Sequence, residues 1–160
     1  MKLPQHGVLF LMVIRSARAL SVYRTNGSME HKLIRLSRIT IGPVYSAELL
    51  DDFQNPRNGG ALEAPDRSAQ LENPACGDIL ELTLKLEGDR IAEIRFRAKG
   101  CLPAMACGSA VTELAKGKTI QEAKQISREE LVTALGTLPQ ASAHASHLAM
   151  DTLAALLRGL

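Results

Sequence analysis

Tryptophan is absent from this 160-residue chain, and Phe and Tyr together make up only 3% of it. A core without large rings has to be filled by Leu, Ile, Val, Ala and Met. The same scarcity removes the stacking platforms that hold single-stranded nucleic acid, so nucleic acid is not an expected partner. Long apolar runs are missing as well. Val8 to Ile14 covers seven residues, against the roughly 20 that a membrane helix needs. Ser16-Ala17-Arg18-Ala19 puts charge where a signal-peptidase site requires small neutral side chains, so neither a membrane span nor a signal peptide is expected. Cysteine is scarce and odd in number, at three. That count argues against a disulfide framework and for free thiols or metal ligands in a reducing compartment, with the cytoplasm as the default.

What is present is unevenly distributed. Met1 to Pro43 carries seven Lys or Arg against the single acid Glu30, whereas Val44 to Leu160 carries 12 against 16 Asp or Glu. The sign change predicts a boundary, with 1–43 a basic N-terminal extension and 44–160 one folded domain. For the extension, the expectation is a tail without fixed structure, or sequence read from a start codon placed too early. The rival reading is a mitochondrial presequence, which would put the protein in the matrix. With 46% hydrophobic and 22% charged residues, the chain can bury one sizeable core.

From Tyr45 the pattern becomes regular. Ser46 is a plausible N-cap for a short helix carrying Leu49, Leu50 and Phe53, and Asn55-Pro56-Arg57-Asn58-Gly59-Gly60 stops it. A short edge strand is expected near Ser68 to Leu71. Ile79 to Leu86 and Ile91 to Ala98 should form an antiparallel hairpin about Gly88-Asp89. The remainder reads as helices: Pro103 to Ala115, Thr119 to Ile126 behind a Thr119/Glu122 capping box, Ser127 to Leu135, and a last one from about Ser142. The predicted class is α+β, a small three-stranded antiparallel sheet packed against several helices.

Chemistry concentrates at the junctions of these elements. Cys76 lies in Pro74-Ala75-Cys76-Gly77-Asp78, where Asp78 can bring its carboxylate to the same side as the sulfur. Cys101 follows Gly100 at a strand-to-helix junction, where amide dipoles should favour its thiolate. His144 precedes the last apolar helix. Thiolate, carboxylate and imidazole together suit zinc or an iron-sulfur cluster. Taken singly, each has a plain alternative: an inert core thiol, a loop carboxylate, a polar residue at a helix start.

Taken together and in order, these segments resemble the U-type iron-sulfur cluster assembly scaffolds, the IscU proteins and the amino-terminal domain of NifU. The resemblance covers about Tyr45 to Leu157. It rests on Tyr45-Ser46, Asn55-Pro56-Arg57-Asn58, Pro74-Ala75-Cys76-Gly77-Asp78 and Gly100-Cys101, continuing through Ala104, Ser109, Val111-Thr112-Glu113 and Lys116-Gly117-Lys118. It implies a SufE/NifU-like fold in which Cys76, Asp78, Cys101 and His144 surround a shallow pocket. There iron is bound and a 2Fe-2S cluster is built and passed on, with zinc an alternative occupant. The implied partners are a cysteine desulfurase, recipient apo iron-sulfur proteins and an Hsp70-type chaperone. A homodimer is left open.

Two departures qualify the match. The family reads His-Cys at its third site and this chain reads His144-Ala145, so the usual sulfur acceptor is replaced by a methyl group. Cys107 lies six residues beyond Cys101, a helical rotation of about 240°, and is not expected to replace it. His147 is one turn from His144 and could supply a second imidazole. The chaperone-recognition segment Leu-Pro-Pro-Val-Lys is replaced by Leu138-Pro139-Gln140-Ala141-Ser142. The expected function is therefore a non-enzymatic scaffold or carrier of a transient cluster. The alternatives are a zinc-bound or metal-free paralogue acting as a regulatory module, and sulfur transfer through a Cys101 persulfide.

Overall fold

The computed structural model describes residues 45–160, so the readings made for 1–43 fall outside the described residues. The chain runs α1 (Ala47–Gln54), β1 (Arg67–Glu72), β2 (Ile79–Glu87), β3 (Arg90–Lys99), α2 (Leu102–Ala115), α3 (Ile120–Lys124), α4 (Arg128–Ala134) and α5 (Ala143–Leu156). A 3-10 turn over Gln140–Ser142 leads into α5. The strands form one antiparallel sheet in the order β1-β2-β3. This is the α+β arrangement expected from the sequence.

The hairpin explains an irregularity in the apolar pattern. Leu84 pairs with Ile94 but Leu86 pairs with Ile91, so the register shifts at Lys85/Leu86 and the extra residue falls at Ala92. The bulge lets Ile91 and Ile94, three apart, both point into the core, where each is fully buried. Capping chemistry sets the helix starts. Thr119/Glu122 and Ser127/Glu130 form reciprocal capping boxes, and the Ser46 hydroxyl accepts from the Leu49 amide. Ser46 also reaches the Leu135 carbonyl, pinning the start of α1 to the end of α4.

At the centre lies α2, which contacts α1, β3, α4 and α5. Its run Ala104, Ala106, Cys107, Gly108, Ser109 and Ala110 is buried, so it has neighbours on every side and needs small side chains. At Gly108 an added Cβ would fall 2.6 Å from the Phe96 ring, and the helix can lie flat on one of the few aromatics only because nothing projects there.

The loop after α1 is tied to α2 by a polar cluster. The Arg57 amide donates to the Ser109 hydroxyl at 2.9 Å, and that hydroxyl donates to Asp52 at 2.6 Å. The Arg57 guanidinium reaches Asp52 and Asp51, while the Asn58 side chain meets Thr112 and Lys116. Asp52 is 6% exposed, and a carboxylate so enclosed is tolerable because it is bonded and charge-paired. Truncating Asp52→Ala strands the Ser109 hydroxyl and costs about 1–3 kcal/mol. Urea unfolding of Asp52→Ala, Ser109→Ala and the double variant should show the two losses to be strongly non-additive.

Candidate metal centre

Three turns of chain meet at one end of α2. The β1–β2 loop carries Cys76 and Asp78, the end of β3 delivers Cys101, and the first turn of α5 supplies His144. The loop closes on itself: the Asn73 amide donates to the Asp78 carbonyl and the Gly77 amide to the Asn73 carbonyl, each at 2.8 Å. Gly77 sits at φ +72°, a left-handed conformation that glycine adopts without a Cβ clash. Cys76 is thereby left exposed while Asp78, two residues on, is 4% exposed.

Asp78 joins the segments. Its Oδ1 accepts from the Cys101 amide at 3.0 Å and its Oδ2 from the Cys101 thiol at 3.2 Å. The His144 Nε2 lies 3.4 Å from the same Oδ2 and 3.7 Å from the Cys101 sulfur. Donor atoms of Cys76, Asp78 and His144 all lie within 4.8 Å of one another. The other ring nitrogen of His144, Nδ1, is 3.2 Å from the Ala141 carbonyl. A carbonyl can only accept, so Nδ1 carries a proton, and this bond holds the ring with Nε2 turned towards Asp78 and Cys101. Orientation of a ligating histidine by a carbonyl behind it is the usual support of metal sites.

The electrostatics favour a cation. Burial pushes the Asp78 carboxyl up, but the Cys76 and Cys101 thiols, the Cys101 amide and the charge of His144 outweigh it and hold it below the ordinary range. For Cys101 the outcome reverses an expectation. Burial raises its thiol, the hydrogen bond from the Ala104 amide lowers it, and the Asp78 carboxylate raises it again, leaving it above its ordinary value. The helix-start amides do act on this sulfur, but burial and a carboxylate at contact distance outweigh them. Cys76 receives a favourable hydrogen bond from the Asp78 amide, yet desolvation and the same carboxylate leave it raised as well. An electron-rich set of this kind binds a positive ion with release of thiol protons.

All four sequence-predicted residues, Cys76, Asp78, Cys101 and His144, are brought together. Neither Cys107, which is not expected to join them, nor His147, the candidate second imidazole, does so. Cys107 is fully buried in the core, where burial and the nearby Cys101 and Asp52 push its thiol up to about 12. His147 is exposed on α5 and is not part of the donor cluster. Ala145 is 1% exposed and packs into the core. The supports missed in the sequence are the Ala141 carbonyl and Asp52. For Asp52 there was a signal, an acid three residues after Leu49 on the apolar face of α1, which demands a buried partner.

The family model for the NifU-like N terminal domain matches residues 44–158. The chain belongs to this family. Over 110 residues it is 46% identical to the iron-sulfur cluster assembly scaffold protein IscU 1 of Archaeoglobus fulgidus, covering 69% of this chain and 72% of that one. The iron-sulfur cluster assembly scaffold protein IscU of Aquifex aeolicus is 41% identical over 111 residues, 68% of this chain and 71% of that one. The crystal structure of a nitrogen-fixing NifU-like protein (N-terminal) from Brucella abortus superposes with a TM-score of 0.59 at 20% identity, covering 72% of this chain and 92% of that one. At that identity the likeness speaks for the fold alone. The resemblance read from the motifs is thus borne out at the level of family and fold.

Because the raised Cys107 thiol is neutral in the folded protein, its contribution to stability is whole below about pH 9 and is lost as pH rises towards about 12. Cys107→Ala should flatten this alkaline decline, by on the order of 1 kcal/mol per pH unit, in urea midpoints compared at pH 7 and 10.5. In the native protein a thiol reagent should modify Cys76 quickly and Cys107 only after unfolding.

Proposed function

We propose that this protein is a scaffold in iron-sulfur cluster assembly, one that binds iron and holds a cluster transiently before passing it to apo-proteins, rather than a catalyst. The observation that carries this reading is the convergence of Cys76, Asp78, Cys101 and His144 from three distant segments, supported by the names of the IscU relatives. Two thiols, a carboxylate and an imidazole near solvent bind a cluster less firmly than four buried thiolates, and a carrier requires that lability. A 2Fe-2S cluster is the cargo proposed. A cysteine desulfurase supplying sulfur and recipient apo-proteins are the partners that such a role requires. Among the described residues no helix is long and apolar enough to cross a membrane, and we assign the work to the cytoplasm.

A second reading, zinc or ferrous iron as a resting occupant, is favoured by the spacing of the donors. Bonds of about 2.0–2.3 Å to a tetrahedral ion place neighbouring donors about 3.3–3.8 Å apart. The separations among Cys101, Asp78 and His144 are 3.2, 3.4 and 3.7 Å. Donors on two different irons would stand farther apart, so cluster building on these side chains requires the Cys76 loop or α5 to give way. Ala145 bears on the same choice, because a methyl group cannot receive sulfur and any covalent sulfur intake must use Cys76 or Cys101.

Anaerobic reconstitution with iron, sulfide and a cysteine desulfurase separates the readings. A visible chromophore with matching acid-labile sulfide, removed in Cys76→Ala, is the expected result. Protein that carries zinc alone under the same conditions would reject the cluster-carrier role and leave the second reading standing.

A further inference from the structure

Gly100 occupies the single residue between the end of β3 and Cys101. A Cβ built on its backbone would lie 2.3 Å from Asp78 Oδ1, 2.6 Å from Asp78 Cγ and 2.9 Å from Asp78 Cβ. The residue does not belong to the positive-φ glycines of the described chain. Its backbone is therefore one that any amino acid adopts, and what it supplies is space. The other glycine of the cysteine loops differs: at Gly77 an added Cβ would meet nothing within 4 Å, and the positive φ is the reason for the residue.

We propose that Gly100 is a positioning residue of the metal centre, whose bare Cα makes the room in which the Asp78 carboxylate turns to meet Cys101 and His144. The proposal rests on the reading of Cys76, Asp78, Cys101 and His144 as metal donors. Asp78 is the group in the way of any side chain at position 100, and the oxygen nearest the added atom is the one that accepts the Cys101 amide at 3.0 Å. Aspartate has too short a side chain to step aside and keep its contacts. Either the carboxylate swings off the Cys101 amide and thiol, or the strand end recedes and carries Cys101 away from His144. Both movements open the donor set. Gly108 does a different task, since its added Cβ would strike Phe96 and Leu80 in the core and not the metal donors.

The experiment compares wild type, Gly100→Ala, Asp78→Gly and the double variant. Zinc affinity is read by competition with a chromophoric chelator, the donor set by the visible spectrum of the cobalt(II) form, and the Cys101 amide by its proton resonance in metal-free protein. Gly100→Ala should weaken zinc binding about 10–100-fold, the range found when a supporting residue is lost. It should also alter the cobalt bands and move the Cys101 amide resonance towards its position in Asp78→Gly. Adding Gly100→Ala to Asp78→Gly should change none of the three, because the group in the way is gone. Wild-type affinity and amide shift in Gly100→Ala, or an undiminished loss in the Asp78→Gly background, would overturn the proposal. Should Gly100→Ala fail to fold, the double variant must fold as well as Asp78→Gly does, and its failure also overturns it. If wild type binds neither zinc nor cobalt, the donor reading falls, while the amide resonance still decides whether Gly100 positions Asp78.

Discussion

The carboxylate of Asp78 is the interaction on which the site depends. It is almost wholly buried, yet it receives the backbone amide and the thiol of Cys101 and faces the imidazole of His144. Asp78, Cys101 and His144 belong to three different parts of the chain, so one side chain sets the β1–β2 loop, the β3–α2 junction and the start of α5 against each other. A buried carboxylate without such partners would be costly. Its partners are also the proposed metal donors, so on that reading folding and metal affinity draw on the same contacts. The arrangement concentrates lone pairs and negative charge at one place, which raises both site thiols and leaves the group ready for a cation.

Rigidity behind the site comes from α2. The helix is capped by Cys101 and buried along most of its length, and its small residues let β3, α1 and α5 approach closely. The shortage of aromatic residues is the sequence-level counterpart of this packing. Phe96, one of five aromatics in the chain, lies where Gly108 makes way for it. On the other side, Asp52, Ser109 and Arg57 hold the Asn55-to-Gly60 turn to the same helix, so the early motif residues support the spine from a distance rather than joining the donors. His144 is supported independently by the carbonyl of Ala141, in the turn that precedes α5.

Ala145 follows His144 directly and its methyl group packs inward. Neither Cys107 nor His147 stands in for a thiol at this position: one is sealed in the core and the other points to solvent.

Much of this was legible in the residues themselves. Capping serines and threonines, turn glycines and alternating apolar residues mark local events, and they located the helices, the hairpin and its Gly88-Asp89 turn. The bulge at Ala92 was hidden because an apolar pattern does not say which strand holds the extra residue. Motif order was enough to name Cys76, Asp78, Cys101 and His144 as candidates, since residue type and spacing are properties of the chain. The behaviour of those groups was not. A helix start was expected to favour the Cys101 thiolate, and only the packed structure shows a buried carboxylate at contact distance overriding it. The same holds for Gly100, which in the sequence is one of 12 glycines and in the fold stands against Asp78. The sequence by itself determined the family, the element order and which residues are candidate donors, because these follow from local pattern. The tertiary structure decided charge state, support and accessibility, because these depend on atoms brought together from distant parts of the chain.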